Sequence, residues 1–163
     1  MSTRTKFTGV VVVVALAAPP GAFAQARPDV SGTWRLNFDK SGPSIAGNGA
    51  DVPFPSDMVV TQSATELSVK RTSVRQAPFA AVYKLDGSKV NVETPAGITE
   101  TGEARFDGAT LVITSRRSFP SPAGDSVVEF TEVWSANGNV LTVKKTMTQE
   151  GESQTATAVY DKT

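Results

Sequence analysis

Apolar residues alternate with polar ones along almost the whole chain. Asp-Gly and Asn-Gly pairs punctuate that alternation, and no segment beyond residue 24 carries a helical stripe. These observations predict an all-β domain: an antiparallel up-and-down meander of about 8–10 strands, closed or nearly closed into a barrel. In order, TWRLNF sets Trp34, Leu36 and Phe38 on one face, and DMVVTQS and TELSVKRTS alternate on either side of a tight turn. FAAVYKL aligns Phe79, Ala81, Tyr83 and Leu85, and TLVITS aligns Leu111 with Ile113. SVVEFTEVWS aligns Val128, Phe130 and Trp134, VLTVKKTMT aligns Leu141, Val143 and Met147, and TATAVYDKT closes the chain. Hairpin signals stand at 86–89, 107–110, 137–140 and 150–153. Short turns make sequential runs pair. A flat meander of that length would expose two long edges, which curling removes.

Two segments stand outside the alternation. Residues 39–57 form a long Gly/Pro/Ser-rich loop, and loops of that length tend to be functional. Residues 117–126 have the same character in shorter form. The first 24 residues read as a signal peptide: Arg4 and Lys6, the apolar run GVVVVVALAA, and Ala22 and Ala24 ahead of the cut. The run is too short to span a bilayer, so no stable membrane insertion is expected after cleavage. The expected location is periplasmic or secreted, with residues 25–163 as one domain.

Removing Arg4 and Lys6 leaves 14 basic against 16 acidic residues, a net charge of −2, which argues against a nucleic-acid partner. There is no cysteine, so no disulfide braces the fold. There is no histidine, which removes the commonest general base and the commonest transition-metal ligand. Ser-His-Asp and Cys-His chemistry are excluded. Glu100/Glu103 and Glu129/Glu132 are each three apart, so on strands their members face opposite ways and cannot flank one bond. No catalytic residue, cofactor or metal site is expected, and a monomer is.

The stretch SGTWRLNFDKS, with Gly32 and Trp34 opening the first strand ahead of a meander, resembles the lipocalin and fatty-acid-binding (calycin) barrels. The GTW opening and the VYDK ending at 159–162 also resemble a set of uncharacterised bacterial exported proteins. The calycin resemblance implies that Trp34 closes one end of the barrel and that the other end admits an apolar ligand, with loop 39–57 at that mouth. It implies a basic residue over the tryptophan from a late strand, Lys144 or Lys145.

The residues that break the apolar pattern are the candidate site. Arg71 shares a face with Leu67 and Val69, Arg117 with Leu111 and Ile113, Glu132 with Phe130 and Trp134, and Lys145 with Val143 and Met147. An ionised group does not sit unpaired in a dry core. Two readings follow. In one, these residues lie at strand ends and run out into water. In the other, Arg71, Arg117 or Lys145 anchors the carboxylate of an apolar acid such as a fatty acid, with Leu111, Ile113, Phe130 and Trp134 along its tail and Trp34 as plug. The second reading predicts an apolar cavity of roughly several hundred Å³ beside loop 39–57. The alternative function is a filled, non-catalytic barrel acting through its surface as an envelope structural or interaction protein.

Overall fold

The structure, a computed structural model, describes residues 27–42, 52–73, 76–94, 98–120, 122 and 124–163. The expected signal segment and the middle of loop 39–57 lie outside the described residues. Ten strands follow one another: β1 Gly32–Leu36, β2 Asp57–Gln62, β3 Glu66–Ser73, β4 Gln76–Lys84, β5 Val90–Val92, β6 Thr99–Asp107, β7 Thr110–Phe119, β8 Ser126–Asn137, β9 Val140–Gln149 and β10 Glu152–Lys162. They form one antiparallel sheet in the order β4-β3-β2-β1-β10-β9-β8-β7-β6-β5. First meets last, because β1 pairs with β10 through Trp34↔Lys162 and Leu36↔Tyr160. The four hairpin signals all sit at turns, and glycine carries the positive φ there, 57° at Gly108 and 59° at Gly138.

The seam of this nearly closed barrel lies between β4 and β5, which share no ladder. At one end the continuation of β4 bridges to β6: Asp86 pairs with Arg105, and the Gly87 amide donates to the Ala104 carbonyl at 3.0 Å. Further along, side chains fill the seam. Gly102 of β6 is buried because the Tyr83 ring of β4 lies against it, and a Cβ there would stand 2.6 Å from Tyr83 Cε1. Strands β5 and β6 carry little apolar alternation in their sequence, for a physical reason. β5 has three residues, and the inward positions of β6 are Glu100, Gly102, Ala104 and Phe106, only one of them large and apolar.

Inward positions build a core of Trp34, Met58, Leu67, Val69, Tyr83, Leu111, Trp134, Leu141, Val143 and Tyr160, all nearly inaccessible. Phe38 is not among them. β1 stops at Leu36, and the chain turns at Asn37, whose side-chain Nδ2 donates to Asp161 Oδ2 at 2.6 Å, leaving Phe38 56% exposed.

Trp34 is a buried plug. Its indole N–H donates to the Val30 carbonyl at 2.9 Å. It lies at the end of the barrel that holds the β2–β3, β6–β7 and β8–β9 turns: its ladder partner Lys162 donates its backbone amide to the carbonyl of Asn139 in the β8–β9 turn. The basic residue over its ring is Lys162, with Nζ 5.3 Å from the ring centroid, and neither Lys144 nor Lys145. Lys144 points to solvent and Lys145 into the barrel. Gly32 is favoured by its φ of +147°, and a Cβ there would also push aside the end of the Lys162 side chain.

Candidate functional site: a charged cluster at the barrel mouth

At the other end, where β3, β7 and β9 finish and β4, β6 and β8 begin, the apolar interior gives way to charge. Strand parity continues inward to Arg71, Glu100, Glu132 and Lys145, all under 10% exposed, and to Arg117, whose side chain is 17% exposed. The strand-end reading therefore fails. These groups are inside, and each has a partner.

Glu132 on β8 is the hub. Its Oε2 accepts from Arg71 Nη2 at 3.3 Å and from the Trp134 indole N–H at 2.9 Å, while Oε1 faces Lys145 Nζ at 3.2 Å. Lys145 is its cross-strand neighbour on β9, so that pair follows from register. Arg71 on β3 instead spans the barrel, five strands away in either direction around the sheet order. Arg71 Nη1 also donates to the Tyr83 hydroxyl at 3.4 Å. A second pair lies alongside: Arg117 Nε and Nη2 reach Glu100 Oε2 at 2.8 and 2.6 Å across the β6–β7 ladder. The Arg117 guanidinium lies 5.5 Å from the Phe130 ring centroid and 6.0 Å from that of Phe79.

Burial by itself would raise the Glu132 pKa, but Arg71, Lys145 and the Trp134 N–H outweigh it and hold the carboxyl at about 2. Lys145 goes the other way from its usual range. Burial lowers its pKa, nearby Arg71 and Arg117 lower it further, and Glu132, already shared, only partly compensates. Burial raises the Tyr83 hydroxyl, which stays protonated.

The tail of the long loop closes over this cluster. Lys145 Nζ donates to the Pro53 carbonyl at 3.0 Å, the Phe54 ring centroid lies 5.8 Å from the same nitrogen, and the Tyr160 hydroxyl donates to the Pro55 carbonyl at 3.0 Å. Beneath this strap is a cavity of about 50 Å³. That is room for a few waters, not for a lipid tail. Among the described residues the expected apolar space of several hundred Å³ is not found beneath the strap, because charged side chains and the rings of Phe54, Phe79, Tyr83 and Phe130 occupy it.

Of the residues predicted from sequence, Arg71, Ile113, Arg117, Phe130, Glu132 and Lys145 line the cavity. Trp34, Leu111 and Trp134 do not. They sit in the solid core, where close packing leaves no lining surface, and Trp134 touches the cluster only through its bond to Glu132. Sequence reasoning missed Glu100, Tyr83, Phe79 and the Pro53–Phe54–Pro55 strap. Spacing tests compared acids within one strand, whereas Glu100 and Glu132 reach the same interior from two strands.

A ten-stranded antiparallel meander joined through β1 and β10 and plugged by a Gly-x-Trp tryptophan has the fold of a calycin-type β-barrel. Solved structures similar to it include the zebrafish ileal bile acid-binding protein complexed with cholic acid, at TM-score 0.55 and 14% identity over 82% of this chain and 98% of that one. A secretory abundant heat soluble protein from Ramazzottius varieornatus aligns at TM-score 0.59 and 13% identity over 86% of this chain and 99% of that one. Secretory abundant heat soluble protein 4 of the same organism aligns at 0.53 and 17% over 82% and 94%. These likenesses concern the fold. No family model matches the chain, and no curated protein matches it in sequence.

Proposed function

We propose that this is an exported binding barrel, not an enzyme, that holds an amphipathic anion such as a fatty acid or another lipid carboxylate at the mouth. The observation that carries the reading is a charge imbalance. Among the described residues, three interior cations, Arg71, Arg117 and Lys145, face two interior carboxylates, Glu100 and Glu132. Glu100 serves Arg117, and Glu132 is divided between Arg71 and Lys145. A ligand carboxylate would supply the missing counter-charge in a site where charge-assisted bonds are strong. The cholic acid of the zebrafish complex is an anion of this chemistry, held by a barrel of the same fold. Space for the tail would come from lifting the Pro53–Pro55 strap, which two hydrogen bonds to side chains and the Phe54 ring hold down.

The test is displacement of a fluorescent fatty-acid probe by palmitate, cholate and hexadecanol. The acids should compete saturably and the neutral alcohol at least about tenfold more weakly, since one charge-assisted hydrogen bond contributes roughly 1.5–3 kcal/mol. The small cavity favours a second reading, a filled barrel that acts through its surface; absence of saturable binding by every class would establish it. Export is tested by N-terminal sequencing of the protein recovered from its native compartment, with Gln25 as the expected first residue.

A further inference from the structure

The same imbalance has a second chemical outlet. A buried lysine that shares its carboxylate with an arginine can be relieved by an incoming anion, or it can react as an amine. We propose that Lys145 is a covalent capture site, forming an imine with an apolar aldehyde that enters the barrel mouth.

The geometry is that of an amine held ready at the end of an aromatic chamber. Lys145 Nζ lies 4.7 Å from the Phe130 ring centroid and 5.8 Å from that of Phe54. Its polar contacts are Glu132 Oε1 at 3.2 Å and the Pro53 carbonyl at 3.0 Å. The charged groups around it are Arg71 and Glu132 from the facing and adjacent strands, and the Arg117–Glu100 pair alongside. Desolvation next to other cations is the environment that lowers a lysine pKa and makes its amine a nucleophile. The chain's other described lysines, Lys40, Lys70, Lys84, Lys89, Lys144 and Lys162, are all exposed.

The reaction balances without a further reagent. The ammonium first loses a proton to water. The amine lone pair then forms a C–N bond to the aldehyde carbon, and the carbonyl π pair goes to oxygen, which takes up a proton. The nitrogen gives up a proton to water, the resulting hydroxyl leaves as water with a second proton, and the nitrogen lone pair forms the C=N bond. An iminium remains in place of the ammonium, so the site's charge is unchanged and Glu132 serves as counter-ion. The strap must give way, because the Pro53 carbonyl occupies the face of Nζ that the aldehyde would approach.

The experiment treats the folded full chain with decanal and cyanoborohydride at neutral pH, followed by peptide mass spectrometry. Reduction converts an imine into a stable secondary amine at the lysine that formed it. Lys145 should carry the adduct faster than any exposed lysine, because burial and the neighbouring Arg71 and Arg117 favour its neutral amine. Palmitate added first should protect it. Adduct spread over the exposed lysines with Lys145 unmodified would overturn the proposal. It would leave anion binding standing if palmitate still displaced the fluorescent probe, so failure of capture is separable from failure of the binding reading on which the protection arm rests. Lys145→Arg, checked for folding by circular dichroism, should lose the selective adduct while exposed sites react as before.

Discussion

Replacing Glu132 by glutamine tests whether the cluster is held by that one carboxylate. The amide keeps the shape but loses the charge, leaving Arg71 and Lys145 buried without a counter-ion. The carboxyl is held at about 2 in the fold against 4.5 as its ordinary value. At about 1.4 kcal/mol per unit, that difference makes the ionised form worth about 3 kcal/mol. The figure agrees with the 3–5 kcal/mol typical of breaking a buried pair. The sign follows from the direction of the shift. A depressed carboxyl contributes its full stability above the unfolded value and loses it as pH falls from about 4.5 to about 2. Urea unfolding followed by fluorescence of Trp34 and Trp134 measures both proteins across that range. The wild type should exceed Glu132→Gln by about 3 kcal/mol at pH 7, and the two curves should converge by about pH 2, where the native carboxyl is itself neutral. Parallel curves through the acid range, or a gap below about 1 kcal/mol at pH 7, would refute the reasoning, because a merely steric role for Glu132 has no reason to titrate.

Other substitutions probe the scaffold that positions the cluster. Gly102→Ala should cost about 1–3 kcal/mol by driving a methyl into the Tyr83 ring, and should cost far less in a Tyr83→Ala background; a double-mutant cycle by urea unfolding measures that coupling. Trp34→Ala should lose about 3–5 kcal/mol through the cavity it leaves and the orphaned Val30 carbonyl, read as a lower denaturation midpoint. Arg116→Ala breaks the exposed pair with Glu129 at 3.6 Å, both side chains more than 60% accessible, and should shift stability by less than about 1 kcal/mol in the same assay.

Much of this molecule is legible in its sequence, and what is legible there is local. Alternation assigns Arg71, Arg117, Glu132 and Lys145 to the same faces as their apolar neighbours, because side chains on a strand change sides with every residue. All four turned out to point inward. Turn glycines announced the hairpins, and Gly32 and Trp34 announced the plugged end. The lack of histidine and cysteine excluded whole classes of chemistry whatever the fold. Hairpin connectivity even implied closure, since a meander this long has edges to hide.

Only the tertiary structure decided which strands stand opposite one another, and the site depends on that. Arg71 meets Glu132 across the lumen, Glu100 joins the interior from a strand with almost no apolar signal, and the Pro53–Pro55 strap folds back over Lys145. Lys162, two residues after the chain's last tyrosine, reaches Trp34 only because the first and last strands pair. Closure also settled volume: periodicity says which side chains face inward, but the space left between them depends on barrel radius and on how far long charged groups extend toward one another. Those are distances between segments remote in sequence, and no local pattern encodes them.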